Sequence, residues 1–174
     1  MRQGTQHETA EAAVSKKILL NCPLEHSFRE FTERMGAWWP ATHHVGTVPF
    51  KDILIEARSG GRWYEINAKE EAGLWGYVLR WDPPHHLALS WHLNTKFEFD
   101  ADLDHASRLE ISFKDAGAGR TRVEFLHSRI ERHGEGYQAL RDQLDHGWVG
   151  VLSQFSALAE GSTAGASVSE AAHP

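Results

Sequence analysis

The sequence predicts an α+β fold in which a curved antiparallel sheet of six to seven strands wraps around one long C-terminal helix. The first observation is a change of hydrophobic period along the chain. Apolar residues alternate with period two in segments between residues 53 and 127, and then recur every third or fourth position from Gly136 to Leu158. The second is that this helical segment has one broad apolar face, which a curled sheet can cover.

The first part of the domain is predicted to form a strand followed by two short helices. Val14–Leu20 has the composition of a strand, and Pro23 stands where a helix can begin. Helical spacing then relates three apolar residues, namely Phe28, Phe31 and Met35. The sequence Trp38-Trp39-Pro40 ends these helices, because a residue before proline is disfavoured in helical geometry.

Six further strands are predicted between residues 53 and 127, with turn sequences between them. The clearest alternation runs through Leu87, Leu89, Trp91 and Leu93. Turns are predicted at Gly60-Gly61 and Asp115–Gly119, and Asp82-Pro83-Pro84 interrupts the sheet. We therefore divide the chain into a flexible N-terminal arm at 1–12, one domain at 13–160, and a disordered Ser-, Ala- and Gly-rich tail at 161–174.

Composition and charge exclude several classes of protein. The net charge is −6 with histidine neutral, and the cations are scattered, so we expect no nucleic-acid partner. The single Cys22 cannot form an internal disulfide, which fits a reducing compartment. No apolar run predicts membrane insertion, and Met1–Glu11 lacks the apolar stretch of a signal peptide. The predicted location is the cytoplasm, and a homodimer is left open.

Strand parity and helix phase predict an interior rich in aromatic rings. Tyr77 alternates with Trp75, Leu79 and Trp81, a face that we interpret as pointing inward. His127 alternates with two apolar strand residues, and two aromatic residues lie on the apolar face of the helix. The predicted ligand-binding residues of a cavity between sheet and helix are Tyr77, Trp91, His127, Trp148 and Phe155. The alternative interpretation is that the same residues pack a solid core.

His127 has two interpretations at this stage. It could orient a ligand or act as a general base, or it could be a neutral histidine bonded to backbone near the end of its strand. We favour the second. Four charged residues around the Gly60-Gly61 turn are interpreted as solvated pairs that hold the register of the hairpin. They are Glu56, Arg58, Arg62 and Glu65.

The sequence predicts no metal and no cofactor. Twelve histidines are present, but His43-His44 and His85-His86 are adjacent pairs, and adjacent strand residues point to opposite faces. No spacing typical of zinc ligands, phosphate-binding loops or nucleotide fingerprints occurs. No Gly-x-Ser-x-Gly motif is present, so nucleophilic catalysis has no support from the sequence.

A set of motifs, in order and at consistent spacing, resembles one known family. The motifs are Trp38-Trp39-Pro40, 56–65 (EARSGGRWYE), Trp75-Gly76, Trp81-Asp82-Pro83-Pro84, Trp91, 119–123 (GRTRV) with His127, and Gly147-Trp148. They are similar to the activator-of-Hsp90-ATPase homologue 1-like branch of the START/Bet v 1-like (helix-grip, SRPBCC) superfamily. The resemblance implies a helix-grip fold whose members bind hydrophobic small molecules, act as cyclases or hydrolases, or serve as co-chaperones.

Three functions follow from these observations, and the first is favoured. It is a binding protein that holds a hydrophobic, aromatic or lipid-like ligand in the cavity between sheet and helix. The second is a cyclase- or hydrolase-type enzyme that uses the same cavity, with His127 or Tyr77 as acid–base groups. The third is a chaperone-interaction module, which the family name suggests. Fold alone does not decide among them.

Overall fold

The computed structural model describes residues 12–170 and places the side chains of residues 12–162. Its strands and helices follow the predicted order. They are β1 (Val14–Leu20), α1 (Leu24–Glu33), α2 (Met35–Trp38), β2 (Phe50–Ile55), β3 (Arg62–Asn67), β4 (Ala72–Asp82), β5 (His86–Trp91), β6 (Ser107–Gly117), β7 (Arg120–Ser128) and α3 (Tyr137–Glu170). Two short 3₁₀ helices, Leu103–His105 and Ile130–His133, stand in the loops before β6 and before α3.

The strands form one antiparallel sheet in the order β1-β7-β6-β5-β4-β3-β2. Strands β2 to β7 run as a meander, and β1 closes the far side by pairing with β7. Helix α3 lies on the concave face of the sheet, and α1 and α2 cover one end. The predicted helix-grip arrangement, an α+β fold with two short helices after the first strand, is confirmed.

Helix α3 packs against the sheet through the apolar face that the sequence predicted. Leu140, Leu144, Trp148, Val151 and Leu152 are all buried. The helix continues past the predicted domain boundary at residue 160 to Glu170. Extending an existing helix requires no new nucleus, so a segment of weak helical propensity can follow a strong one. Residues 1–11 and 171–174, in the predicted arm and tail, lie outside the described residues.

The half of the interior beneath α1 and α2 is a solid aromatic core. The ring centroid of Phe31 lies 5.8 Å from that of Phe113, 5.0 Å from Trp38 and 5.1 Å from Phe155. Edge-to-face and tilted contacts of this kind add to the stabilisation from apolar burial. The interior is therefore filled at this end.

Strand β4 breaks the alternation expected of a regular strand. Trp63 pairs with Gly76 but Tyr64 pairs with Leu74, so the register shifts at Trp75. A second shift occurs at Leu79, between the pairs that β4 makes with β5. Each bulge adds one residue to the strand and changes which side chains face inward. No helix among the described residues is long and apolar enough to span a membrane.

Candidate functional site

A cavity of about 330 Å³ lies between the concave face of the sheet, the N-terminal half of α3 and the loop from residue 39 to residue 49. Four indole rings line it, those of Trp39, Trp75, Trp91 and Trp148. The volume is at the lower end of the range for small-molecule sites. The sequence predicted a cavity between sheet and helix, and the structure contains one at that position.

The indoles form a continuous wall because neighbouring rings contact each other. The centroids of Trp91 and Trp148 are 5.8 Å apart, those of Trp39 and Trp148 are 5.6 Å apart, and those of Trp75 and Trp91 are 6.3 Å apart. Helix α3 widens the space at Gly147, where a Cβ would meet no atom within 4 Å. A glycine inside a helix costs about 0.5–1 kcal/mol relative to alanine, so this position gives up helix stability and leaves room in the cavity.

Polar side chains gather on one side of this cavity. Thr42, His43 and His44 come from the loop, and Gln143 comes from α3. The Trp39 indole donates to the backbone carbonyl of His43 at 2.8 Å. The His43 ring nitrogen Nδ1 lies 3.0 Å from Thr42 Oγ1. His44 Nδ1 is buried and has no hydrogen-bond partner within the described chain. A ligand could therefore find apolar surface on the indoles and a hydrogen-bonding group at His44.

Of the five predicted ligand-binding residues, Trp91 and Trp148 line the cavity. Phe155 is fully buried but belongs to the solid core, packed against Phe31 and Trp38. His127 is also fully buried and lies behind Trp148, to which it is hydrogen bonded. Whether these residues bind a ligand stays a prediction.

The predicted inward orientation of Tyr77 is wrong. Its side chain is 37% exposed, and its ring packs edge-on against His92 with centroids 5.5 Å apart. His92 alternates along the chain with the inward-facing Trp91 and Leu93, so Tyr77 lies on the outer face of the sheet. The cause is the pair of bulges in β4, which bring Trp75 and Val78 inward while Tyr77 and Leu79 stay outside.

His127 is the first member of a hydrogen-bonded chain behind the cavity wall. The indole Nε1 of Trp148 donates to His127 Nδ1 at 3.1 Å. His127 Nε2 lies 2.7 Å from Ser107 Oγ, which lies 2.8 Å from His133 Nε2. An indole nitrogen can only donate, so His127 Nδ1 must accept. Neutral His127 then carries its proton on Nε2 and donates it to Ser107.

This chain of hydrogen bonds keeps both His127 and His133 in their neutral forms. A second proton on His127 would place an N–H against the N–H of Trp148. Burial lowers the pKa of His127 to about 3, with a smaller contribution from His133. Burial also lowers the pKa of His133 to about 4, a change that the nearby Asp100 carboxylate opposes. His127 has its ring nitrogens occupied by Trp148 and Ser107, which supports a structural role and leaves no free nitrogen for a general base.

Glu65 differs from its predicted place among solvated charge pairs. Glu56 and Arg62 do form an exposed pair at 2.9 Å, as the sequence indicated. Glu65, however, is only 2% exposed and faces the interior of the sheet. Its side chain accepts from the backbone of Val45 and from the Trp75 indole. Burial raises the pKa of Glu65, and these two donors oppose the rise.

Sequence reasoning missed the loop between α2 and β2 as part of the site. We considered His43-His44 only as metal ligands and took Trp39 as the end of a helix. An available signal was the density of large aromatic and polar residues next to Pro40. Among the described residues, no three His, Cys, Asp or Glu side chains come together as a potential metal site. The absence of a metal stays a prediction.

The fold and the aromatic cavity define the class of the protein, a helix-grip domain of the START/Bet v 1-like type. The chain belongs to the activator of Hsp90 ATPase homolog 1-like family, whose model matches residues 21–160. No significant match was found among curated protein sequences.

Several solved structures are similar to this chain over most of their length. An anthrahydroquino-gamma-pyrone synthase, Txn09, is 35% identical with a TM-score of 0.60, over 83% of this chain and 94% of that one. The self-sacrificing resistance protein CalC from Micromonospora echinospora is 27% identical with a TM-score of 0.65, over 86% and 95%. Protein NE0264 from Nitrosomonas europaea, 18% identical with a TM-score of 0.63 over 87% and 96%, supports the fold alone.

Proposed function

We propose that this protein binds a planar, mostly apolar aromatic molecule in the cavity between the sheet and α3. The observation that carries the proposal is the wall of four contacting indoles, Trp39, Trp75, Trp91 and Trp148. Indole rings offer flat, rigid faces on which a fused-ring ligand can stack with little loss of side-chain entropy. Apolar ligand surface gains about 25 cal/mol per Å² on burial, before the costs of association.

The polar side of the cavity supports a ligand that carries oxygen or nitrogen atoms at one edge. His44 Nδ1 is buried and has no hydrogen-bond partner among residues 12–162, and a ligand group could satisfy it. A buried polar group without a hydrogen bond is unfavourable, so such a contact would add both affinity and orientation. The similarity to Txn09 supports the same class of ligand, since that protein is an anthrahydroquino-gamma-pyrone synthase.

Titration with a soluble anthraquinone sulfonate tests the proposal. We expect tryptophan fluorescence to be quenched at micromolar ligand, because four of the seven tryptophans line the cavity. Trp91→Phe should weaken the affinity by about tenfold, which corresponds to about 1.4 kcal/mol of lost contact. Tyr77→Phe, a change on the outer face of the sheet, is the control and should leave the affinity unchanged. An absence of quenching, or equal effects of the two substitutions, would contradict the proposal.

A second candidate function is catalysis of ring closure in the same cavity. The observation that favours it is the 35% identity to a synthase, over 94% of that chain. The groups that could move protons are His43 and His44, because both line the cavity and the second has a free ring nitrogen. His127, a candidate for this role from the sequence, has both ring nitrogens hydrogen bonded, to Trp148 and to Ser107.

Substitution of His44 by glutamine separates the two candidates. A binding protein should keep its affinity for the anthraquinone sulfonate within a fewfold and show no turnover of polyketide-like precursors. An enzyme that uses the imidazole should keep KM and lose about 10²–10⁴-fold in kcat, the usual contribution of a general acid or base. Binding calorimetry and product analysis by mass spectrometry supply the two measurements. The chaperone-interaction alternative, the cytoplasmic location and the oligomeric state stay predictions.

A further inference from the structure

Glu65 is a buried carboxylate that joins two walls of the cavity. It lies on β3, and each of its side-chain oxygens is 3.1 Å from the backbone nitrogen of Val45. One oxygen also accepts from the Trp75 indole nitrogen at 3.0 Å. Val45 belongs to the loop between α2 and β2, and Trp75 belongs to β4. A single side chain therefore holds a loop residue and a sheet residue that both line the cavity.

The loop has a single hydrogen-bonded connection to the sheet among the described residues, in addition to the packing of Val45 against the core. Within the described chain, the contact between Val45 and Glu65 is the one hydrogen-bonded link from residues 41–48 to any strand. Other bonds secure only the ends of the loop, from the Trp39 indole to the His43 carbonyl and from Ala68 N to the Pro49 carbonyl. The part of the loop beyond His43, which brings His44 and Val45 to the cavity, can move when this link opens.

The surroundings of Glu65 favour an acceptor at this position. Gly73 stands opposite Glu65 on β4, where a Cβ would come within 3.2 Å of Glu65 Cγ. The missing side chain gives the carboxylate room to turn toward Val45. Both groups that face the carboxylate are N–H donors, and a buried carboxylate without such donors would be strongly destabilising. The local geometry is thus built around a charged acceptor that reaches the loop.

We propose that Glu65 is a latch residue, which positions the loop at 41–48 and the Trp75 indole together and thereby controls the release of the ligand. This inference rests on the proposed function, because the latch acts on the cavity in which the ligand binds. Opening of the latch would move His44 and Val45 away from the ligand, while His43, held by the Trp39 indole, and the indoles on β5 and α3 remain in place. The expected consequence is on the rate of dissociation more than on the stability of the fold.

Glu65→Gln tests the latch by replacing one acceptor oxygen with an NH₂ group that faces N–H donors. The probe is the anthraquinone sulfonate, and its dissociation is followed by recovery of tryptophan fluorescence after rapid dilution. We expect dissociation to become about tenfold faster, equivalent to about 1.4 kcal/mol. Hydrogen exchange at the Val45 amide should also accelerate, because the single carbonyl oxygen of glutamine must accept from both Val45 and Trp75.

Glu56→Gln is the matched control, since Glu56 lies in the same hairpin but bonds to Arg62 at the surface. It should change neither the dissociation rate nor exchange at Val45. If the wild-type protein does not bind the probe at all, the proposed function fails. If the wild type binds and Glu65→Gln releases the probe at the wild-type rate, the latch is overturned while the proposed function stands.

A pair of substitutions at Val45 carries the test if Glu65→Gln does not fold. Val45→Pro removes the backbone donor, whereas Val45→Ala keeps it, and both shorten or alter the side chain that lines the cavity. Faster dissociation in the proline variant than in the alanine variant supports the latch. Equal dissociation rates in the two variants overturn it.

Discussion

Replacement of Trp148 by alanine will lower the free energy of unfolding by about 3–5 kcal/mol, the usual cost of removing a large buried aromatic side chain. Trp148 is 3% exposed, and its ring centroid lies 4.4 Å from that of Phe125. The substitution also removes the donor to His127 Nδ1, which would be left buried without a partner. A loss of this size is a large part of the 5–15 kcal/mol that stabilises a typical domain.

Two further variants divide this effect into its parts, and urea denaturation near neutral pH measures all three. Trp148→Phe keeps most of the ring volume but removes the indole N–H, so we expect a loss of about 1–3 kcal/mol. Val149→Ala alters the neighbouring residue of α3, which is 58% exposed, and should change stability by less than about 0.5 kcal/mol. If Trp148→Ala were no more destabilising than Val149→Ala, α3 would not be packed as described.

Stability should fall as the pH falls below about 6.5, because His127 and His133 are held neutral in the folded protein. Their pKa values are lowered from 6.5 to about 3 and about 4. Between these values and pH 6.5, the unfolded state therefore binds more protons than the folded state. The stabilisation is therefore fully present above about pH 6.5 and is lost as the pH falls toward those folded values. Each histidine contributes a slope of up to about 1.4 kcal/mol per pH unit.

Groups with raised pKa values act in the opposite direction and reduce the net slope. In the acidic range they are Glu65, whose pKa is raised by burial, and His105, whose pKa is raised chiefly by its hydrogen bond to Asp100. Comparison with a variant separates the contribution of His127 to the pH dependence from theirs. His127→Gln keeps an acceptor for Trp148 and a donor toward Ser107 but does not titrate.

We expect the dependence of unfolding free energy on pH to be flatter in His127→Gln by about 1 kcal/mol per pH unit between about pH 6 and pH 5. His146→Gln, on the exposed side of α3, is the matched control and should retain the wild-type slope. Chemical denaturation at a series of pH values supplies both curves. A wild-type slope in His127→Gln would show that the hydrogen-bonded chain does not hold this histidine neutral.

The overall fold could be predicted from the sequence because it depends on patterns that repeat over many residues. Alternation in the strands and the three-to-four spacing of α3 are each sustained, so one irregular residue does not alter the result. The same patterns correctly placed Trp91 and Trp148 on the cavity. Strand parity and helix phase hold at these two positions, although Trp91 is the last residue of β5.

The site was predicted less completely because it depends on local departures from those patterns. Two bulges in β4 reverse the orientation expected of Tyr77, and the alternation of apolar residues alone does not reveal them. Glu65 has the sequence environment of a surface hairpin, yet the curvature of the sheet and the loop above it enclose its carboxylate. Helix phase alone could not show that Phe155 faces the filled end of the interior and Trp148 the open end.

The sequence by itself determined the class of fold, the element order and the aromatic character of the interior, since these depend on composition and period. Only the tertiary structure decided which aromatic residues border free space, which way His127 donates its proton, and that Glu65 joins the loop to Trp75. The physical reason is that hydrogen-bond partners and cavities arise where segments far apart in the chain meet. Trp148 and His127, 21 residues apart in the chain, illustrate it, because the acceptor role of the imidazole appears only when the indole donor is placed against it.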